Sequence, residues 1–166
     1  MIFSRTPKKF GWLKFAIILI APCASPVWAW PGKVTHVTDG DSLWVRPAQG
    51  GEPVRVRIDG IDAPEICQAG GQAARKALAA RLMGRTVQVQ VRRQDDYDRA
   101  LATVALDGED LGAWMVGQGH AWAYRQRSGA YLALQVQAQT AERGLFADPN
   151  ALQPRIFRKK NGPCYR

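Results

Sequence analysis

Between Pro53 and Ile58 the chain alternates strictly, placing Val54, Val56 and Ile58 on one face and Arg55 and Arg57 on the other. Period two of this kind predicts a half-buried β-strand. The same alternation predicts strands over Lys33–Val37, Ser42–Arg46, Arg85–Arg93 and Ala100–Leu106. Asp39-Gly40, set between the first two runs, is a hairpin signal, and Pro47 to Pro53 with its paired glycines makes a second turn. The period changes at Gly71–Leu82, where Ala74, Leu78 and Leu82 recur on one helical face before Gly84 ends the run. Further helices are predicted over Asp110–Val116 and Ala130–Arg143. In the latter Leu134, Ala138 and Ala141 face inward, Gly144 is the stop, and Leu145-Phe146 docks on the core.

Five strands with helices after the third and the fifth predict an all-β core with helices. No βαβ repeat is available for a parallel sheet, so a closed or partly closed barrel is expected. One domain suits a chain of 166 residues. Residues 1–29 read separately: Arg5, Lys8, Lys9 and Lys14 form a positive region, Phe15 to Ala24 an apolar one, and Val27-Trp28-Ala29 a cleavage site. We therefore divide the chain into a leader (1–29), a folded domain (30–150) and a basic tail (151–166) that reads as poor in regular structure from Arg155 on. The apolar run is shorter than the roughly 18 residues of a membrane span, so export to a secreted or periplasmic location is favoured over an uncleaved anchor.

The net charge is +9; removing the four leader cations from 23 leaves 19 against 14 acidic residues, a net of +5. That surplus suits a polyanion such as nucleic acid, and equally an anionic membrane surface. Beyond Cys23 of the leader only Cys67 and Cys164 remain. In an oxidising compartment this even count predicts a disulfide, with two free thiols as the alternative. His36 and His120 are isolated and lack zinc-site spacing with a cysteine, so neither reads as a ligand or a catalyst.

The chemistry concentrates in Arg57-Ile58-Asp59-Gly60-Ile61-Asp62-Ala63-Pro64-Glu65, directly after the central strand. By spacing alone this is either a polar surface turn or a set of acids able to hold a hard cation beside a phosphate-binding guanidinium. If the barrel brings the hairpin turn to the same end, Asp39 and Asp41 join it. Asp41 and Asp62 are then the expected ligands of Ca²⁺ or Mg²⁺, because no nitrogen or sulfur donor accompanies them. Glu65 is placed to act on a water. Arg99, after Asp95-Asp96-Tyr97-Asp98, is a second phosphate clamp or else a surface partner of an acidic neighbour.

Asp39-Gly40-Asp41-Ser42, the Arg57–Glu65 stretch, Asp96-Tyr97-Asp98-Arg99-Ala100-Leu101-Ala102 and Gly144-Leu145-Phe146 resemble, in order and spacing, the signatures of the staphylococcal nuclease family. The resemblance covers about Val34 to Pro149. It implies an OB-fold, a five-stranded barrel with three helices, and calcium-dependent hydrolysis of DNA and RNA with little sequence specificity, leaving 3′-phosphate ends. It further implies Asp41, Asp62 and the Ala63 carbonyl as Ca²⁺ ligands, Arg57 and Arg99 as phosphate clamps, Glu65 as general base and Tyr124 as a nucleotide contact, with Trp122 as its rival. A monomer without a stable protein partner is expected. Asp98 departs from the family's usual glycine; aspartate tolerates a positive φ, and its charge would either pair with Arg99 or add an oxygen near the cation. The competing class is an OB barrel that binds single strands without cutting them, which would not need the acids and arginines together. A third class, an envelope protein resting its basic tail on lipid, lacks an amphipathic anchor.

Overall fold

The computed structural model describes residues 29–124 and 129–164. The proposed leader, apart from its last residue Ala29, lies outside the described residues. Among the described residues eight strands and four α-helices are formed, in the order β1 (Ala29–Val37), β2 (Ser42–Pro47), β3 (Val54–Ile58), β4 (Ile61–Asp62), α1 (Gly71–Leu82), β5 (Thr86–Gln94), β6 (Ala100–Leu106), β7 (Glu109–Asp110), α2 (Leu111–Gly117), β8 (Trp122–Ala123), α3 (Gly129–Thr140) and α4 (Pro154–Asn161).

The main sheet runs β3-β2-β1-β5-β6-β7, and β3 also pairs with β6. That last pairing is parallel, Val56 to Ala100 and Arg57 to Leu101. It closes β1, β2, β3, β5 and β6 into a five-stranded barrel of the OB type, with the helices packed outside. Closure removes the open edges that two such strands would otherwise expose.

Alternation fills the interior. Val34, Val45, Val56, Ile58, Val89, Ala102 and Val104 are all at most 1% exposed, and each buried Val or Ile contributes roughly 1.5–3 kcal/mol relative to exposure. Helix α1 has the predicted bounds and buries Ala74, Leu78 and Leu82. Asp110 caps α2, accepting hydrogen bonds from the backbone N–H of Gly112 and Ala113. Tyr131 of α3 donates to the other oxygen of that carboxylate at 2.7 Å, joining the two helices.

Three expectations change. Strand β1 begins at Ala29, with Trp30 paired to Val89 and packed on the core. Helix α3 stops at Thr140, earlier than predicted, so Ala141 is exposed while Ala138 is the buried contact. The chain turns through Glu142 and Gly144, both at positive φ, into a short 3-10 turn that buries Phe146 against Trp122. Finally, the basic tail is not irregular: Pro154, at the first turn where its missing N–H costs nothing, starts α4.

Candidate active site

The site forms where the β1–β2 turn meets the exit of β3. Asp39 folds that turn by accepting a hydrogen bond from the Asp41 N–H at 3.0 Å. Gly40 presses against Ala63 and Ala74: a Cβ there would lie 2.7 and 2.8 Å from theirs. Only glycine allows this approach, which brings the two acidic segments together. Asp41 is further tied to β3, its carbonyl accepting from the Ile58 N–H at 2.8 Å. Asp62 is held from the other side by the pairing of β4 with β8, opposite Trp122.

Asp41 and Asp62 are each 2% exposed and meet on one guanidinium. Arg57 Nη1 donates to Asp41 Oδ1 at 2.7 Å, and Nη2 to Asp62 Oδ1 at 3.0 Å. The remaining oxygen of Asp41 accepts from the Ala63 N–H at 2.9 Å, and Ser42 Oγ donates to Oδ1 at 2.9 Å. Two segments 16 and more positions apart thus converge through a single side chain, a geometry a surface turn would not need. Burial alone would lower the Arg57 pKa, but the Asp41 and Asp62 charges overcome it and hold the guanidinium more firmly protonated. Burial pushes the Asp62 carboxyl up, against the hydrogen bond from Arg158, and Asp41's charge raises it further. Asp39 is pushed up to about 7, first by burial and then by Asp41. Excess negative charge in a desolvated space is the common cause.

Glu65 lies on the loop leading to α1. A Cβ on Gly71 would run into the Glu65 carbonyl, so a glycine opens the helix where that loop passes. The Glu65 carboxylate accepts from Arg158 Nη1 at 2.8 Å, and Arg158 also grips both oxygens of Asp62. The C-terminal helix therefore contributes a residue to the site that the sequence reading assigned to a tail. A signal for it existed in the paired cysteines: Cys67 lies two residues after Glu65, so a bridge to Cys164 had to carry the end of the chain there. The structure forms that bridge, with Cα atoms 5.8 Å apart.

Arg99 stands elsewhere. Its guanidinium pairs with Asp95 at 2.8 Å and lies over the Tyr97 ring at 5.3 Å. Hydrogen bonds from Arg99, outweighing burial, hold the Asp95 carboxyl below its usual range. The acidic neighbour that pairs with Arg99 is Asp95, while Asp98 takes φ 56 in the turn. Among the described contacts none joins Arg99 to Asp41, Asp62 or Glu65. The β3–β6 register nevertheless sets Leu101 beside Arg57, so Arg99, two residues earlier, belongs to the same outward face.

Beside Asp62 opens a cavity of about 410 Å³, lined by Trp122 and Tyr124 on one side and Gln153, Pro154 and Arg155 of the C-terminal segment on the other. Tyr124 and Trp122 both line this cavity. The Trp122 indole nitrogen is buried there without an acceptor among the described residues. His36 is exposed on β1. His120 packs its ring 5.9 Å from that of Trp114, and burial lowers its pKa. Among the described hydrogen bonds and ion pairs none joins either histidine to Asp41, Asp62 or Glu65.

The donor chemistry at Asp41 and Asp62 is oxygen only, buried and negatively charged, which suits a hard divalent cation. Among the described residues no group of three or more carboxylate, imidazole or thiol ligands forms a ready cage. The two acids would hold such an ion together with main-chain oxygen and water, and the amide tied to Asp41 is that of Ala63.

Comparison with known proteins points one way. The family model described as staphylococcal nuclease homologue matches residues 55–148. The chain is 38% identical over 160 residues to Protein ParB of Escherichia coli, covering 88% of this chain and 89% of that one. It is 37% identical over 130 residues to an uncharacterized endonuclease of Haemophilus influenzae, covering 77% and 72%. It is 34% identical over 158 residues to a micrococcal nuclease of Shigella flexneri, covering 87% and 88%.

Proposed function

Since this chain belongs to the staphylococcal nuclease family, we propose that it is an endonuclease hydrolysing phosphodiester bonds of DNA and RNA with little sequence preference. The observation that carries the proposal is the meeting of buried Asp41 and Asp62 on the fork of Arg57, with Glu65 on the adjoining loop. A protein that only held single strands would gain nothing from desolvating two carboxylates, since such groups cost free energy unless they do work.

In this reading Asp41, Asp62 and the Ala63 carbonyl hold Ca²⁺, which supplies charge neutralisation at the scissile phosphate. Arg57, fixed on its strand, donates to the phosphate oxygens as charge builds on them. Arg99 does the same once phosphate draws it from Asp95. Glu65 takes the proton of the attacking water; the water oxygen bonds to phosphorus, the bond to the 5′ oxygen breaks, and that oxygen takes a proton from a solvent water, the hydroxide so formed being neutralised by the proton that Glu65 gives up. The products are a 3′-phosphate and a 5′-hydroxyl. The cavity beside Asp62, with Tyr124 and Trp122 on its wall, receives an adjoining nucleotide. Contacts of this kind read backbone and base faces rather than base edges, hence the weak sequence preference. Export to the periplasm or medium and action as a monomer complete the proposal; no helix among the described residues is long and apolar enough to cross a membrane.

The test is release of acid-soluble nucleotide from DNA and RNA with calcium, magnesium or chelator, run beside E65Q. Cleavage with calcium, loss with chelator and a drop of at least about a hundredfold in E65Q are expected. Binding without turnover would instead favour the non-catalytic OB module. Equal cleavage by E65Q would remove the general base.

A further inference from the structure

Arg158 meets Asp62 and Glu65 across 96 and 93 positions of the chain. Nη2 donates to Asp62 Oδ2 at 3.0 Å, while Nη1 donates to Asp62 Oδ1 at 3.2 Å and to Glu65 Oε1 at 2.8 Å. This is two-toothed capture of one carboxylate with a branch to a second, the strong charge-assisted arrangement for arginine. The acceptors are well shielded, with the Asp62 side chain 3% exposed and that of Glu65 20%.

The helix that carries Arg158 is fastened at both ends to the loop that carries Glu65. Ahead of α4, the Leu152 carbonyl accepts from Gln68 Nε2 at 2.7 Å, and Gln68 is itself buried. Beyond α4, Cys164 bridges to Cys67. An eight-residue helix would be marginal alone; clamped in this way it holds its guanidinium at a high effective concentration over the acids.

Arg57 and Arg158 differ in how they are mounted. Arg57 belongs to the barrel, its position set by pairing with Ser42 on one side and Leu101 on the other. Arg158 comes from outside the barrel ladder, and it takes up both oxygens of Asp62. With Arg158 on both oxygens of Asp62 and Arg57 on one of them, most of that carboxylate's acceptor positions are filled, and a further positive charge is repelled by the guanidinium groups where water is scarce. Glu65 likewise has Oε1 taken up by Arg158 Nη1, so that oxygen is not open to a water.

We propose that Arg158 is the built-in counter-ion of Asp62 and Glu65, and that a divalent cation enters this site by displacing it. The inference rests on the divalent-ion reading of Asp41 and Asp62 given above, and it concerns affinity for the ion, not turnover. Occupation by Arg158 lowers the apparent affinity by the fraction of time the acids are free. The Cys67–Cys164 bridge belongs to the device, because it sets how readily Arg158 withdraws.

The experiment is calorimetric titration of chelator-stripped protein with calcium, comparing the parent chain with R158Q, R158K, the C67S/C164S pair and the triple variant. R158Q is expected to bind calcium about tenfold more tightly. R158K, which keeps the charge, stays within about threefold of the parent. The cysteine pair shifts in the same direction as R158Q but by less, and the triple variant matches R158Q. Far-UV circular dichroism establishes that each variant is folded; should R158Q fail to fold, the cysteine pair decides by itself. Unchanged or weaker calcium affinity in a folded R158Q, or in the cysteine pair where that decides, overturns the proposal while leaving the nuclease reading in place. No calcium binding by any chain removes the ion reading and the displacement together.

Discussion

Replacing Arg57 with glutamine tests the centre of the site most directly. Its guanidinium separates two carboxylates whose side chains are 3% exposed, and R57Q leaves both negative charges in place while removing the positive one between them. Breaking a buried pair from one side typically costs about 3–5 kcal/mol. The Arg57 side chain is 18% exposed and Arg158 still covers Asp62, so some screening remains. We therefore expect the lower end, about 3 kcal/mol, equivalent to roughly 10 °C in Tm for a domain of this size. The assay is urea unfolding in chelator at pH 7.5, followed by far-UV circular dichroism. Adding D62N to R57Q should recover part of the loss, giving a coupling of about 1–2 kcal/mol. Saturating calcium should recover part of it as well by binding the folded chain. A loss under 1 kcal/mol, or strictly additive effects with D62N, would refute the electrostatic account of how Asp41 and Asp62 are held.

In chelator, stability should fall as pH rises from about 4 to 7. The folded chain keeps a proton on Asp39, whose pKa is pushed up to about 7 against 3.8 for the free side chain, and must surrender it above that range. D39N should flatten the slope, and a Tm that climbs over this interval would contradict the argument. Reducing the Cys67–Cys164 bridge, with a sequence separation of 97, should cost about 2–4 kcal/mol, read as a lower urea midpoint with reductant; an unchanged midpoint would show that the C-terminal segment adds nothing to stability. Asp98 sits at φ 56, so D98G should be neutral or stabilising by about 0.5 kcal/mol and D98V destabilising by about 1–2 kcal/mol. Similar thermal melts for D98G and D98V would show that this turn tolerates any residue.

Much of the site was legible because its parts are local. Arg57 faces outward by simple alternation, and Asp62 and Glu65 follow it within one turn. The Asp39-Gly40-Asp41 hairpin is likewise a short-range signal. Arg99 illustrates the opposite case: its neighbours Asp95 and Asp98 are both near in sequence, and only the folded turn decides that Asp95 accepts its hydrogen bonds. Helix α4 was missed for a related reason. Its sequence, Pro-Arg-Ile-Phe-Arg-Lys-Lys-Asn, is strongly basic and short, and its helicity depends on contacts made far from it in the chain.

By itself, then, the sequence determined the five barrel strands, though neither the early start of β1 nor the short strands β4, β7 and β8, together with helix α1, the barrel class and the acids available for chemistry, since period, turn residues and carboxylate spacing act within a few positions. Tertiary structure alone decided that Asp41 and Asp62 share one guanidinium, that Arg99 turns to Asp95, and that Arg158 lies across Asp62 and Glu65. These outcomes depend on barrel closure and on a clamp between Cys67 and Cys164, and the energy of a charge in such a place is set by what surrounds it in space.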